Sequence, residues 1–198
     1  LCVRQAPALT VSSPPVEFPL AGFAITPPQG EHWCVGDQDS TKGVIYSTSA
    51  LIGRRLESAP SVPAVSNTLG VAAITVDPGD WKVDTAEGLR AYAEFRVREQ
   101  PGRFRNLETH VSPESGFAAE CVRMDQVAEE RHNPRMPSAV FIVVNWQVLC
   151  RHPDSPRRAI LIGASERHLQ GDPGPRLLDL KKDQIDDFMR SLRFIRPQ

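Results

Sequence analysis

Apolar and polar positions alternate most clearly between Ser138 and Cys150, the only long run of the chain that is rich in β-branched and aromatic residues. From Val140 onward every second residue is apolar, whereas the intervening positions include Asn145 and Gln147. A strand with one fully apolar face and one partly apolar face is expected to be covered on both sides. The pattern therefore predicts a central strand, against which the rest of the chain packs.

The flanking sequence predicts seven further strands. The segments 22–25 and 32–35 alternate on either side of a Pro-Pro-Gln-Gly turn, which indicates a hairpin. The other five strands are predicted at 43–47, 71–76, 104–111, 117–131 and 158–167.

Two helices complete the predicted elements. Asp84-Thr85-Ala86-Glu87 has an acceptor side chain followed by Glu at the spacing of a capping box, so a helix is predicted to begin at Asp84 and to stop at Pro101-Gly102. A second helix is predicted over 177–192, and the residues after it, 193–195, are expected to add a terminal edge strand. The apolar face of the second helix is formed by Ile185, Phe188, Met189 and Leu192.

This order of elements predicts an α+β fold, in which helices pack on an antiparallel β-sheet. Residues 1–17 contain several prolines and few apolar residues, so we predict a flexible N-terminal tether there. Residues 18–198 are then expected to form a single domain. The 40% hydrophobic content is sufficient for one core of that size.

Charge excludes some classes of partner. The formal net charge is -1 at pH 7, so no basic field attracts nucleic acid or an anionic membrane. No run of about 18 apolar residues is present, so a membrane-spanning helix is not predicted.

The start of the sequence carries a near-terminal Cys2 followed by residues rich in Ala, Pro, Thr and Ser. This arrangement resembles the start of a mature bacterial lipoprotein, and Cys2 is the candidate lipid anchor. The resemblance implies an extracytoplasmic location, either periplasmic or at the outer membrane. Contact with a membrane is expected only through that anchor.

Cys121 and Cys150 lie on the two strands that flank the Asn-Pro-Arg-Met-Pro turn. A pairing in which residue numbers sum to about 271 places them opposite each other and permits a cross-strand disulfide. Matching the apolar face of Val144 and Trp146 with Val122 requires an even sum, which displaces the cysteines by one residue. A β-bulge would reconcile the two demands, and buried free thiols are the alternative.

No metal, cofactor or catalytic motif stands out. Cys121, Cys150 and His152 share one face of their strands, but the fourth ligand of a metal site has no candidate, so no metal is predicted. Gly163-Ala164-Ser165-Glu166-Arg167 lacks the second glycine of a nucleophile elbow, and no phosphate-binding loop occurs. We therefore do not predict an enzyme.

Two segments resemble PsbP-like domains. Gly22–Trp33, with its Gly-Phe-Ala-Ile start and following turn, is similar to their opening hairpin, and Ile185–Phe194, ending in Ser-Leu-Arg-Phe, is similar to their closing helix and strand. The resemblance implies an α/β/α sandwich with a central antiparallel sheet. Bacterial members of that family include secreted lipoproteins without enzymatic activity that assist or join larger complexes.

The sequence thus predicts a non-catalytic extracytoplasmic protein that docks on a larger protein complex. The interaction candidates are Arg54 and Arg55, because arginine is enriched at interface anchors and both lie on a long loop over 53–69. An enzyme with a site built from loops, such as a hydrolase, and a module for a small ligand or metal are the alternatives.

Overall fold

The structure is a computed structural model, and it describes residues 14–30, 33–49, 67–100, 102–134 and 136–197. Ten strands occur in these ranges: β1 Val16–Phe18, β2 Phe23–Ile25, β3 Cys34–Asp39, β4 Gly43–Ser49, β5 Asn67–Val76, β6 Phe104–Glu114, β7 Cys121–Glu130, β8 Phe141–His152, β9 Ser155–Leu169 and β10 Arg193–Phe194. The helices of the same ranges are α1 Ala86–Arg96, α2 Leu177–Leu180 and α3 Lys182–Arg190.

Seven strands form one antiparallel sheet, the main sheet, in the order β3-β4-β5-β9-β8-β7-β6. β8 is an interior strand as predicted, but β9 rather than β8 occupies the middle. β9 pairs with β5 on one side and with β8 on the other. Among the described residues, no helix is long and apolar enough to cross a membrane.

Each face of the main sheet has its own apolar core, because side chains alternate along every strand. On one face, residues such as Val148 and Ile162 pack with α2, α3, β1 and β2. On the other face, Leu149 and Leu161 pack with α1. The predicted α+β fold, an antiparallel sheet with helices packed on it, is therefore confirmed.

The hairpin predicted for 22–35 is wrong. β2 instead joins β1 and β10 in a separate three-stranded sheet, whereas β3 pairs with β4 in the main sheet. β10 is the terminal strand expected from the sequence. The Pro27-Pro28 segment leads the chain away from β2, and the C-terminal strand takes the neighbouring position, where the Ile195 N–H donates to the Gly22 carbonyl (3.0 Å).

Helix α1 is shorter than predicted at both ends. Its N-cap is Thr85 rather than Asp84, and the Thr85 hydroxyl accepts a hydrogen bond from the Gly88 N–H (3.1 Å). The helix ends before Val97, whose carbonyl accepts from the side-chain amides of Asn106 (2.6 Å) and Gln126 (3.2 Å). These amides replace the donor that a longer helix would have supplied.

The helix predicted over 177–192 is present as two helices, α2 and α3, which are separated at Lys181. Neighbouring residues of a single helix point about 100° apart. The break lets Leu177 and Leu178 of α2 be buried together with the apolar face of α3. That face consists of the predicted residues Ile185, Phe188 and Met189, with Leu192 beyond it.

The ladder between β7 and β8 keeps one register from Cys121 opposite Cys150 to Glu130 opposite Phe141. Cys121 and Cys150 form a disulfide. The expected conflict with the apolar pattern does not arise, and no bulge is needed. Both faces of the main sheet are buried near the disulfide, so apolar residues fit on either face. Val122 lies opposite Leu149 on the face that α1 covers.

His152 joins the small three-stranded sheet to the end of β8. The side chain is fully buried. Its Nε2 lies 2.8 Å from the Gly22 carbonyl oxygen and 3.1 Å from the Ile195 carbonyl oxygen. Its Nδ1 accepts a hydrogen bond from the Asp154 N–H (3.1 Å). Nε2 therefore carries the proton and donates. Both ring nitrogens are used, and Cys121 and Cys150 are bridged, so these three residues do not form a metal site.

We predict that His152→Leu lowers the free energy of unfolding by about 1–3 kcal/mol, because the carbonyls of Gly22 and Ile195 lose the hydrogen bonds from Nε2. The measurement is urea unfolding followed by far-UV circular dichroism. The matched control is His110→Leu, at an exposed position of β6, for which a change within about 0.5 kcal/mol is expected. Equal urea midpoints for both variants would show that His152 does not hold the small sheet.

We predict that the double variant Cys121→Ala/Cys150→Ala is less stable than the oxidised wild type by roughly 3–4 kcal/mol. The reason is that the bridge, at a sequence separation of 29, restricts the unfolded chain. Guanidinium unfolding without a reducing agent measures the difference. A loss below 1 kcal/mol would contradict the loop-entropy account of this bridge.

Candidate functional site

One face of the main sheet is covered over only part of its width by the described residues. α2 and α3 lie mainly on β5 and β9, and the sheet continues beyond them through β8, β7 and β6. On this part of the face, four apolar side chains remain partly exposed: Val127, Ile142, Val144 and Trp146. We call this strip the trough, with α3 along one side and β6 along the other.

The trough deepens at one end into a cavity of about 360 Å³. This cavity lies between α3 and the connection from β6 to β7. Its apolar lining is formed by Phe117, Trp146, Val148 and Met189. Its charged lining is formed by Glu114, Arg123, Asp186 and Arg190.

The β6–β7 connection places Phe117 at the end of the trough. Glu114 turns the chain there, because its Oε1 accepts a hydrogen bond from the Gly116 N–H (2.9 Å). Four residues after Phe117, the Cys121–Cys150 disulfide ties the start of β7 to β8. The aromatic ring is therefore held near Trp146 by a short connection that is covalently fixed at its far end.

The charges next to the cavity are mostly matched within the chain. The Arg123 Nε lies 2.7 Å from Asp125 Oδ2, and this hydrogen bond is the main reason why the pKa of Arg123 is raised. The nearby carboxylates of Glu114 and Asp186 act in the same direction. Asp186 itself pairs with Lys182 at 2.5 Å. The cavity thus combines apolar side chains with charges of nearly balanced sign, and the paired Arg123 and Asp125 stand on the sheet itself, opposite Val148 and Trp146.

An ion-pair cluster marks the far end of the trough. Glu129 is buried, and its carboxylate lies 2.6 Å from the Arg105 guanidinium and 2.7 Å from that of Arg131. The hydrogen bond from Arg131 lowers the pKa of Glu129, and the charge of Arg105 lowers it further. Glu129 is therefore ionised at neutral pH, which makes this end of the trough polar.

Glu166 and His168 form a second buried polar group, beneath α2 rather than in the trough. Glu166 Oε2 accepts a hydrogen bond from the Leu178 N–H (2.9 Å), and His168 Nδ1 lies 3.7 Å from Glu166 Oε1. Burial lowers the pKa of His168, and the charge of Arg176 lowers it further. His168 is therefore neutral. The hydrogen bond from the Leu178 N–H to Glu166 fixes α2 on the sheet.

The structure describes only some of the candidate site residues from the sequence. Cys121 and Cys150 form a bridge close to the cavity, whereas Arg54, Arg55 and Cys2 lie outside the described residues. Their predicted roles therefore stay predictions. Within the described ranges, no group of three or more His, Cys, Asp and Glu side chains is arranged to hold a metal.

Sequence reasoning missed the trough. The alternation along β8 shows a fully apolar face, but it does not show that the described elements cover only part of this face. A signal existed in β6, whose residues on the same face as Val127 include Glu108, His110 and Glu114. A polar row beside an apolar one indicates that the sheet face meets solvent there.

No protein-family model matches the chain, and a search of curated proteins found no match. Among solved structures, the fold is similar to that of LpqN, which is described as involved in cell envelope biogenesis of Mycobacterium tuberculosis. The two chains are 12% identical, the TM-score is 0.46, and the alignment covers 96% of this chain and 91% of that chain. Membership in the PsbP-like family stays a prediction.

Proposed function

We propose that this protein is a non-catalytic component of an extracytoplasmic compartment, where it docks on a larger protein assembly through the trough. The location is supported by the cysteines, since Cys121 and Cys150 are bridged and Cys34 is also in a disulfide. Disulfides of this kind form and persist in oxidising compartments.

The observation that carries the docking proposal is the partly exposed apolar strip around Trp146. The rest of the apolar sheet surface near it, such as Val148 and Ile162, is buried beneath other elements. The indole lies among half-exposed aliphatic side chains and beside the paired Arg123 and Asp125. Tryptophan and arginine are enriched at interface centres. A partner that covers the strip would complete the burial that α2 and α3 leave unfinished.

The charged groups around the trough support a binding role rather than catalysis. Arg123 is paired with Asp125, and Glu129 is paired with Arg105 and Arg131. Such pairs fix side chains in place and keep their charges at neutral pH. A general acid or base needs a pKa near the working pH. These pairs instead raise the pKa of Arg123 and lower the pKa of Glu129, so both pKa values move away from neutral pH.

We predict that Trp146→Ala reduces recovery of the native partner at least tenfold, because interface tryptophans commonly contribute 2 kcal/mol or more to binding. The measurement is quantitative mass spectrometry after affinity purification from native envelope fractions. Phe95→Ala is the matched control, since Phe95 is an aromatic residue of α1 that is 45% exposed on the other face. Equal partner recovery with both variants would remove the trough from the proposal.

The Arg54→Ala/Arg55→Ala variant belongs in the same experiment, because both residues remain candidates for a contribution to docking. A loss of partner with this variant alone would transfer the interface from the trough to the 53–69 loop. Circular dichroism of each purified variant establishes that the fold is intact before recovery is compared.

The lipid anchor expected at Cys2 stays a prediction, because Cys2 lies outside the described residues. We predict that the native protein carries a lipid on this residue. Mass spectrometry of the N-terminal peptide from the native source measures the modification, and an unmodified Cys2 amine and thiol would contradict the anchor.

A further inference from the structure

We propose that the face of the main sheet that carries α1 binds a saccharide with an anionic group. The site is a part of this face that the described elements leave uncovered, and we call it the polar patch. It is formed by Gly70, Asn145, Gln147, Ser165 and Arg167. The inference goes beyond the proposed docking function, because the trough lies on the opposite face and shares none of these side chains.

The polar patch lies beside α1. This helix packs mainly on β6, β7 and β8, so β5 and β9 extend past it on the same face. Leu149 and Leu161 point to this face and are buried in the core that α1 covers. Further along the same two strands, Asn145 and Ser165 lie opposite each other and are half-buried. The face therefore changes from apolar to polar at the margin of α1.

The uncharged side chains of the polar patch retain hydrogen-bonding capacity. Asn145 Nδ2 donates to Gln126 Oε1 (2.8 Å), and Gln126 Nε2 donates to Asn106 Oδ1 (2.8 Å), so a chain of amides orients Asn145. The side chains of Gln147 and Ser165 make no hydrogen bond within the described part of the chain. Half-buried amides and hydroxyls supply both donors and acceptors, which is what sugar hydroxyls require.

Gly70 leaves open space beside Ser165. The two residues lie directly opposite each other, with Gly70 in the interior of β5. Among the described residues, a Cβ atom at Gly70 would meet only the Tyr46 carbonyl oxygen, at an ordinary distance of 3.6 Å, and the φ of Gly70 is not positive. Neither packing nor backbone geometry there requires a glycine, although glycine weakens a strand interior. Close approach of a ligand to the backbone accounts for it.

Two guanidinium groups at the end of the polar patch select an anionic group. Arg103 and Arg167 lie 2.7 and 2.8 Å from the buried carboxylate of Glu130, so two positive charges share one negative charge. The guanidinium carbon of Arg167 lies 3.9 Å from the centre of the Phe141 ring, which fixes it in place. No hydrogen bond within the described ranges uses the terminal nitrogens of Arg167. Fixed, partly exposed guanidinium N–H groups bind oxyanions in charge-assisted, bidentate geometry.

The neutral side chains and the guanidinium groups together define the class of ligand. Arg167 and Ser165 are two residues apart on one face of β9, which separates them by about 7 Å. A ligand of one or two sugar rings reaches across that distance. An apolar ligand would leave the amides and hydroxyls without partners, and an inorganic anion would use only the arginines. A saccharide that carries a carboxylate or phosphate group uses both.

The experiment titrates the isotope-labelled full chain with an oligogalacturonate and, separately, with glucose 6-phosphate, and it follows binding by NMR. The expected result is a shift of the side-chain amide signals of Asn145 and Gln147. The methyl ester of the oligogalacturonate and unmodified glucose lack the anionic group, so they should bind roughly tenfold more weakly or worse than the charged probes. The two charged probes distinguish a carboxylate from a phosphate as the preferred group.

Two variants locate the site. Arg167→Gln should weaken binding of the charged saccharide roughly tenfold or more, because it removes the fixed guanidinium. The matched control is Arg157→Gln, at an exposed position near the start of the same strand, which should leave affinity within about twofold. Gly70→Val should also weaken binding, because it fills the open space beside Ser165. Its melting temperature should equal or exceed that of the wild type, because valine favours a strand.

The outcomes decide between the saccharide and simpler ligands. Binding of either charged saccharide, with losses in Arg167→Gln and Gly70→Val but not in Arg157→Gln, would establish the site. Equal affinity for inorganic phosphate or for a tetraglutamate peptide would overturn the saccharide as the ligand. The site itself would be overturned if neither charged saccharide bound, or if Arg167→Gln left the affinity unchanged.

Discussion

The antiparallel register of β7, β8 and β9, which is unbroken from Phe141 to Arg151 of β8, is the constraint on which the rest of this protein depends. Because side chains alternate along each strand, the register decides which residues meet α1 and which meet α2 and α3. Cys121 opposite Cys150 and Val122 opposite Leu149 are two consequences of one alignment. A slip of one residue between β7 and β8 would place the two cysteines on opposite faces and would remove both the bridge and the matched apolar pairs.

The trough follows from a mismatch between the width of the main sheet and the elements that cover it. Seven strands at the usual spacing are about 29 Å wide, whereas one layer of helix is about 10–12 Å wide. α2, α3 and the small three-stranded sheet cover the β5 and β9 side, and the Glu166 carboxylate fixes α2 there by accepting from the Leu178 N–H. On the opposite face, α1 covers the β6 to β8 side instead. The apolar surface that the described elements leave uncovered is thus a result of where the helices are anchored, and docking is one way in which it can be buried.

The sequence predicted those features of the fold that depend on local pattern. The alternation from Val140 to Cys150 indicated an interior strand, and the apolar spacing of Ile185, Phe188 and Met189 indicated the face of α3. It misplaced features that depend on distant partners. Val97 ends α1 because Asn106 and Gln126 donate to its carbonyl, and β2 pairs with the C-terminal strand rather than with β3. Nothing in the local pattern of either segment shows these partners, and the trough was missed because coverage is a property of the whole face.

The most direct test of this account is the solvent accessibility of individual tryptophans in the isolated protein. Oxidative labelling with hydroxyl radicals, followed by mass spectrometry, measures the reaction rate of each indole separately. We expect Trp146 to react faster than Trp33, which is fully buried and whose indole N–H donates to Gln184 Oε1 (2.8 Å). If Trp146 were as protected as Trp33, the trough would be covered within the chain itself, and the docking surface proposed for this protein would not exist.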